Sequence, residues 1–243
     1  IIDRNAPYII DSIYFKVPDE RILQILINDS INSTLHLNDR YQQQNLTGER
    51  GRVHDLLLNN GFYNFSRQYI SFQVDSSSLG NNLMAIGITV KNPPGNKQHK
   101  TQRIDSVIFT TDTDVRGLST SRKSVIFNGI NYKFYDKRYS KKLLDRRLFI
   151  YHDSIYKKEN TLETQRQLSN LDIFKFINVN YDTTGGKFIA NIFTSPLKKY
   201  QTSNEIGVNV SEGLPGPFVD FSLKNRNVFK GLEVMELSGR IGA

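Results

Sequence analysis

The 243-residue chain contains no cysteine, so neither a disulfide nor a thiolate metal site can brace it, and no thiol reports its redox compartment. Tryptophan is also absent, and methionine occurs only twice. No apolar run approaches the roughly 20 residues that a membrane helix requires. No initiator methionine or signal peptide opens the chain, which reads as starting within a longer protein or after processing. A membrane β-barrel would escape such a scan, because its strands signal only by weak alternation over segments of about 10 residues. Histidine is sparse, and His36, His54, His99 and His152 lack metal-ligand spacing. There is no His-Glu-x-x-His, no Gly-x-Ser-x-Gly and no phosphate-binding Gly-Lys-Ser/Thr loop. Asp112-Thr-Asp114 offers two carboxylates without the rest of a calcium loop. The expectation is a protein with no catalytic residues, no metal and no cofactor.

What is present points to β-structure. Fifteen Phe and 12 Tyr suit strands, and 38% hydrophobic residues suffice for the cores of two ordinary domains. The net charge of +8 is compatible with nucleic acid, an anionic membrane or an acidic partner. Nucleic acid is disfavoured, since no recognised motif accompanies the charge and acidic residues are interspersed. The densest basic run is Lys133, Lys137, Arg138, Lys141, Lys142, Arg146 and Arg147. Two readings of it stand, a solvated helix face or a contact with anionic lipid headgroups worth on the order of 1 kcal/mol per charge.

The chain carries two divergent copies of one pattern, of the size of a duplicated domain. Ile10-Asp-Ser-Ile13 in a strand at 8–15 matches Ile104-Asp-Ser-Val107 in a strand at 103–110. In the first copy, Pro18-Asp19-Glu20 starts a helix with Ile22, Leu23, Leu26 and Ile27 on one face. A second helix over 46–60 buries Val53, Leu56 and Leu57 and stops at Gly61, which can take the left-handed conformation. A strand at 69–75, a turn at 76–82 and a strand at 83–91 follow. Asn92-Pro-Pro-Gly95 breaks the pattern and marks a domain boundary. In the second copy an irregular insertion runs to about Tyr132. A helix within 135–149 turns Tyr139, Leu143 and Leu144 inward, and a second starts at Asn160 with Glu163 completing a capping box and Leu168 and Leu171 inward. A hairpin of 174–182, Gly185-Gly186 and 187–195 closes the copy. Both copies read β-α-α-β-β.

The tail alternates with period two. Ile206, Val208 and Val210 oppose Glu205, Gly207, Asn209 and Ser211, then, after the turn Gly213-Leu-Pro-Gly-Pro217, Val219, Phe221 and Leu223 oppose Asp220, Ser222 and Lys224. A third run spans 232–241. Three strands with an unpartnered apolar face read as the opening of a larger β-structure that the chain cuts short.

Residues 205–231, with their strand, Gly-Leu-Pro-Gly-Pro turn, second strand and Asn225-Arg-Asn-Val-Phe-Lys-Gly231, resemble the start of the barrel in outer-membrane assembly factors of the BamA/TamA superfamily. The likeness is greatest to the TamA-like lipoprotein branch, TamL. The copies resemble POTRA domains, the first through Glu49-Arg50, Asn60-Gly-Phe-Tyr63, Phe65, Tyr69-Ile70 and Phe72, the second through Thr161, Leu168, Leu171 and Phe174. One departure is that Asn170-Leu171-Asp172 stands where the first copy has Asn60-Gly61-Phe62. The resemblance implies an α+β chain: a penultimate POTRA domain at 1–95, a last one at 96–198, each a three-stranded mixed sheet covered by two helices, and the first strands of a transmembrane antiparallel β-barrel at 199–243.

It also implies an outer-membrane location with periplasmic POTRA domains, and partners among unfolded outer-membrane client proteins and outer-membrane lipid. Accessory lipoproteins, or an inner-membrane or envelope-spanning partner, are implied too. Clients would add as strands to exposed sheet edges, at Tyr69, Ile70, Ser71, Phe72 and Gln73 and at Phe176, Ile177, Asn178 and Val179. They would then pass a weakly closed barrel seam at Glu205, Ile206, Gly207, Val208, Asn209 and Val210. The other readings are that these edges are solvated or covered by a neighbouring domain, that 205–210 is an ordinary strand, and that the whole is a soluble binding module of α+β repeats.

Overall fold

The computed structural model describes residues 6–76, 82–95, 97–113, 121–211 and 214–242. The chain forms two compact units. The first comprises residues up to Arg103 together with Ile155–Lys158, the second Ile104–Ser154 and the chain from Glu159 onward.

The first unit contains β1 (Ile9–Lys16), α1 (Glu20–Asn28), α2 (Gln43–Asn59), β2 (Ile70–Asp75) and β3 (Leu83–Val90). Its sheet has the order β1-β3-β2, with β1 parallel and β2 antiparallel to β3. Asp19 caps α1, its carboxylate accepting from the Arg21 amide at 3.1 Å as short polar side chains do at this position. Ile22 and Leu26 are buried, whereas Ile27, expected inward, is exposed. At 100° per residue Ile27 stands well off the stripe centred on Ile22 and Leu26.

Helix α2 begins earlier than its apolar residues announce, and Leu56 is only half-buried while Leu58 is buried. Past its end Gly61 has φ +94°, the left-handed conformation that glycine adopts without a Cβ penalty. An added Cβ there would also lie 2.9 Å from Ile155. The sheet face under the helices buries Ile10, Ile86 and Ile88 with Leu35 and Leu46. Glu49 is fully buried on α2, and it accepts from the Thr34 amide at 2.9 Å and from Arg52 at 2.6 and 3.0 Å. Of the turn expected at 76–82, residues 77–81 lie outside the described residues.

The second unit departs from the three-stranded expectation. Its strands are β4 (Ser106–Thr110), β5 (Lys123–Phe127), β6 (Ile130–Phe134), β7 (Phe174–Asp182) and β8 (Ile189–Pro196), in a five-stranded sheet of order β5-β6-β4-β8-β7. The insertion expected to be irregular supplies the β5–β6 hairpin. Its turn is Asn128-Gly129, with φ of 48° and 75°, the two left-handed residues that match a tight turn to strand twist. Strand β4 begins at Ser106, later than the repeat suggested. The helix expected within 135–149 shrinks to α3 (Lys141–Asp145). Like charges four residues apart, Lys137 with Lys141, Arg138 with Lys142 and Lys142 with Arg146, work against a longer helix.

Helix α4 (Lys158–Ser169) starts before Asn160, which therefore sits in its first turn and caps nothing. Thr164 and Leu168 are its buried residues, and the Thr164 hydroxyl accepts from the Phe149 amide at 3.0 Å. Leu171 is half-buried, and the left-handed residue after α4 is Asp172, at φ 48°. An aspartate tolerates that conformation better than most side chains, which is how the helix ends without glycine.

The second unit also carries a separate antiparallel sheet, β9 (Tyr200–Ser211), β10 (Leu214–Arg226) and β11 (Val234–Gly242), in the order β11-β10-β9. The strands outrun their expected lengths. Leu214–Pro217, expected as turn, pairs with Ser211–Val208 as strand, and Glu212 and Gly213 lie outside the described residues. Over that stretch β10 pairs with β9 alone, and a strand bonded on one side can carry proline, which has no N–H to donate. The third run starts at Val234, because Leu232, at φ 66°, still belongs to the preceding loop.

Candidate functional site

Strand β2 is one edge of the first sheet, and β7 and β5 are the two edges of the second. An edge leaves a row of N–H and C=O groups free to accept another strand. Tyr69 is not on β2 but in the tight turn Arg67–Tyr69 before it. Ile70 is buried in the core, Ser71 and Phe72 are half-buried, and the Arg50 guanidinium lies 5.4 Å from the centre of the Phe72 ring. Gln73 is exposed and accepts from Lys16 at 2.7 Å. On β7 the register shifts at Lys175. Phe176 is exposed, while Ile177, Asn178 and Val179 are half-buried.

The β9–β11 sheet has two unlike faces. Directly opposed residues share a face, so the register puts Ile206, Val219 and Ile241 on one layer, with Val208 and Pro217 above and Leu223 and Leu237 below. Ile206 is 81% exposed and Ile241 82%. The other face carries Glu205, Asn209, Asp220, Lys224, Glu236 and Arg240. Arg240 grips Asp220 at 2.5 and 2.6 Å, and Lys224 reaches Glu236 at 3.4 Å. Gly207 faces the Phe218 ring, where a Cβ would meet ring carbons at 2.6 Å. The Arg240 guanidinium stacks on the same ring at 4.3 Å.

Arg226 ties this sheet to the α+β domain of its own unit, a role that its motif alone did not disclose. Its side chain is 7% exposed. Nε donates to the Asp172 carbonyl at 2.7 Å and one terminal nitrogen donates to Gln201 at 3.0 Å. Nearby, Tyr139 packs edge-on against Phe174 at 5.2 Å, and burial pushes its phenol up to about 12.

No acid, base or metal constellation accompanies these features among the described residues, where no group of three or more His, Asp or Glu side chains could hold a metal ion. Asp112 is structural, its carboxylate accepting from the Tyr135 amide at 2.6 Å, and Asp114 lies outside the described residues. His99 is buried and bonds the Lys91 carbonyl at 3.0 Å. No helix is long and apolar enough to cross a membrane, which says nothing about strands.

A mixed α+β sheet, its first strand parallel and its hairpin partner antiparallel to the shared strand, occurs twice and is followed by a long-stranded antiparallel sheet, which defines the fold as mixed α+β. No protein-family model and no curated protein matches the sequence. Among solved structures, the chain is similar to the crystal structure of BamA from Haemophilus ducreyi lacking POTRA domains 1–3. The identity is 9% and the TM-score 0.58, covering 97% of this chain and 37% of that one. Lesser likenesses are to BamA POTRA domains 3–5 from Haemophilus influenzae, at 12% identity and TM-score 0.44 over 77% of this chain and 61% of that one, and to CdiB from Acinetobacter baumannii, at 13% and 0.42 over 100% and 39%. The first likeness shows the fold, a mixed α+β chain similar to BamA, of which this chain spans 37% of the length.

Proposed function

We propose that the chain is the membrane-proximal segment of an outer-membrane protein assembly or secretion factor. In this reading residues 1–95 and 96–198 are its last two POTRA domains, and 199–243 the start of its transmembrane barrel. The observation that carries the proposal is the β9–β11 sheet, with one uncovered aliphatic face and an opposite face of cross-strand ion pairs. A strand of a membrane barrel shows lipid an apolar face and the lumen a polar one.

The work is binding rather than catalysis. Extended client segments add to the edges β2 and β7 through main-chain hydrogen bonds, which supply affinity without demanding a sequence. They then pass to β9, the seam strand from Glu205 to Val210. The partners are unfolded outer-membrane clients and outer-membrane lipid, with no nucleic acid, and the POTRA domains stand in the periplasm. The TamA-like branch, TamL, is the finer assignment. It adds an envelope-spanning partner, where a BamA role would add accessory lipoproteins. The test is the intact mass of the natively expressed polypeptide, extracted with and without detergent. A product far heavier than 28.0 kDa that leaves the cells only with detergent is expected. A water-soluble product of about this chain's own mass would overturn the proposal in favour of a soluble binding module.

A further inference from the structure

Beside the Arg226 anchor a cleft of about 420 Å³ opens, lined by five cationic residues, Lys137, Arg138, Lys199, Arg226 and Lys230, and by no carboxylate. Arg226 is committed to Asp172 and Arg138 reaches Asp136 at 3.4 Å. Among the described residues Lys137, Lys199 and Lys230 form no ion pair. Three uncompensated ammonium groups around one concavity create a positive potential that costs stability through mutual repulsion unless an anion relieves it.

The position of the cleft bears on the class of anion it would take. Lys199 directly precedes β9, Arg226 ends β10 and Lys230 lies in the loop before β11. The lowest aliphatic layer of the sheet, Leu223 beside Leu237, stands opposite Thr202. From Thr202 to Lys199 is about 10 Å along a strand, or roughly 7–8 Å along the membrane normal for a strand tilted by about 40°. The headgroup layer beyond the hydrocarbon is about 5–8 Å thick on each side. Exposed Tyr200 opens β9 next to Lys199, and exposed Phe229 lies in the loop next to Lys230; aromatic side chains in such places mark a membrane interface.

We propose that this cleft, at the base of the sheet, seats the phosphate of a glycerophospholipid headgroup from the leaflet facing the POTRA domains, held by Lys137, Lys199 and Lys230. The site rests on the reading of β9–β11 as a membrane sheet. Three exposed ammonium groups at a membrane surface change lipid retention by roughly tenfold to a hundredfold.

The experiment is native mass spectrometry of the full-length protein, extracted in detergent from its own cells and titrated with dioleoylphosphatidylglycerol, dioleoylglycerol or inorganic phosphate. The wild type is expected to retain phosphatidylglycerol at least tenfold better than the phosphate-free diacylglycerol, and inorganic phosphate is expected not to compete at equal concentration. The combined variant Lys137→Gln, Lys199→Gln, Lys230→Gln is expected to lose that preference. Equal retention of the two lipids by the wild type overturns the site without need of a variant. Full competition by inorganic phosphate shows a free-anion site and overturns the lipid as occupant. A protein that needs no detergent would sink the membrane reading itself, whereas detergent dependence with equal retention sinks only the headgroup site.

Discussion

Arg226, the last residue of β10, donates its Nε to the main-chain carbonyl of Asp172 at 2.7 Å, and Asp172 is the left-handed residue that ends the turn after α4. The bond joins the base of the antiparallel sheet to the α+β domain through a charged donor with little access to water. Charged donors make the stronger hydrogen bonds, and the Arg226 guanidinium, 7% exposed, has little water to replace its acceptors. Arg226→Met is therefore expected to free the Leu197–Tyr200 connection, and tryptic cleavage after Lys198 or Lys199 should quicken by roughly tenfold or more as local opening becomes easier. Arg226→Lys should fall between, since an ammonium lacks the planar fork. Unchanged cleavage in the Met variant would contradict the anchoring role.

The Glu49–Arg52 pair sets a pH limit. Burial raises the Glu49 carboxyl, but the Arg52 hydrogen bonds and charge and the Thr34 amide outweigh it and hold the group below its ordinary 4.5. A depressed folded value means that the stabilisation is complete above 4.5 and fades as pH falls through the folded value. Glu49→Gln leaves Asp29 as the remaining carboxylate partner of the largely buried Arg52 guanidinium and should cost about 1–2 kcal/mol at neutral pH, the worth of a charged hydrogen bond made neutral. Urea unfolding measured at neutral pH and below 4.5 checks both parts. The variant should lose the acid-dependent component that the wild type shows.

Some of this was legible in the sequence. The Ile-Asp-Ser repeat, the apolar alternation of 206–210 and 219–223, and Gly61 located strands and a helix end because each signal is local. The β5–β6 hairpin falls where the sequence reads as an irregular insertion up to about Tyr132, although Asn128-Gly129 between alternating apolar residues signals a hairpin. The role of Arg226 could not be read at all, since its partner Asp172 lies far away in sequence and its motif reveals only a turn. Tyr69 reads as strand because an aromatic beside Ile70 suits one, yet its amide bonds the Ser66 carbonyl at 3.1 Å in a tight turn.

Gly207 makes room for the Phe218 ring, which in turn carries Arg240. A valine there must displace the ring and disturb the Arg240–Asp220 pair. Gly207→Val is expected to destabilise the sheet by about 1–3 kcal/mol, read as a lower temperature for loss of the folded band in semi-native electrophoresis. A variant that unfolds at the wild-type temperature would contradict the close packing of these two strands.

If the edges β2 and β7 take client strands, a photoreactive residue at Gln73 or Phe176 should form adducts with other polypeptides in living cells. The same residue at Ile86, buried on the central strand β3, should form none. Equal yields at the three positions would remove the edges from client capture.

The lipid-facing assignment of β9 is open to the most direct measurement, and the absence of cysteine from this sequence makes single-cysteine spin labels at Ile206, Gly207, Val208, Asn209 and Val210 straightforward to place. In full-length protein reconstituted into vesicles, oxygen accessibility should be high at Ile206, Val208 and Val210, and accessibility to a water-soluble nickel complex high at Gly207 and Asn209. An alternation with period two places this strand in a membrane wall. High nickel accessibility at all five positions would put both faces in water and contradict the barrel.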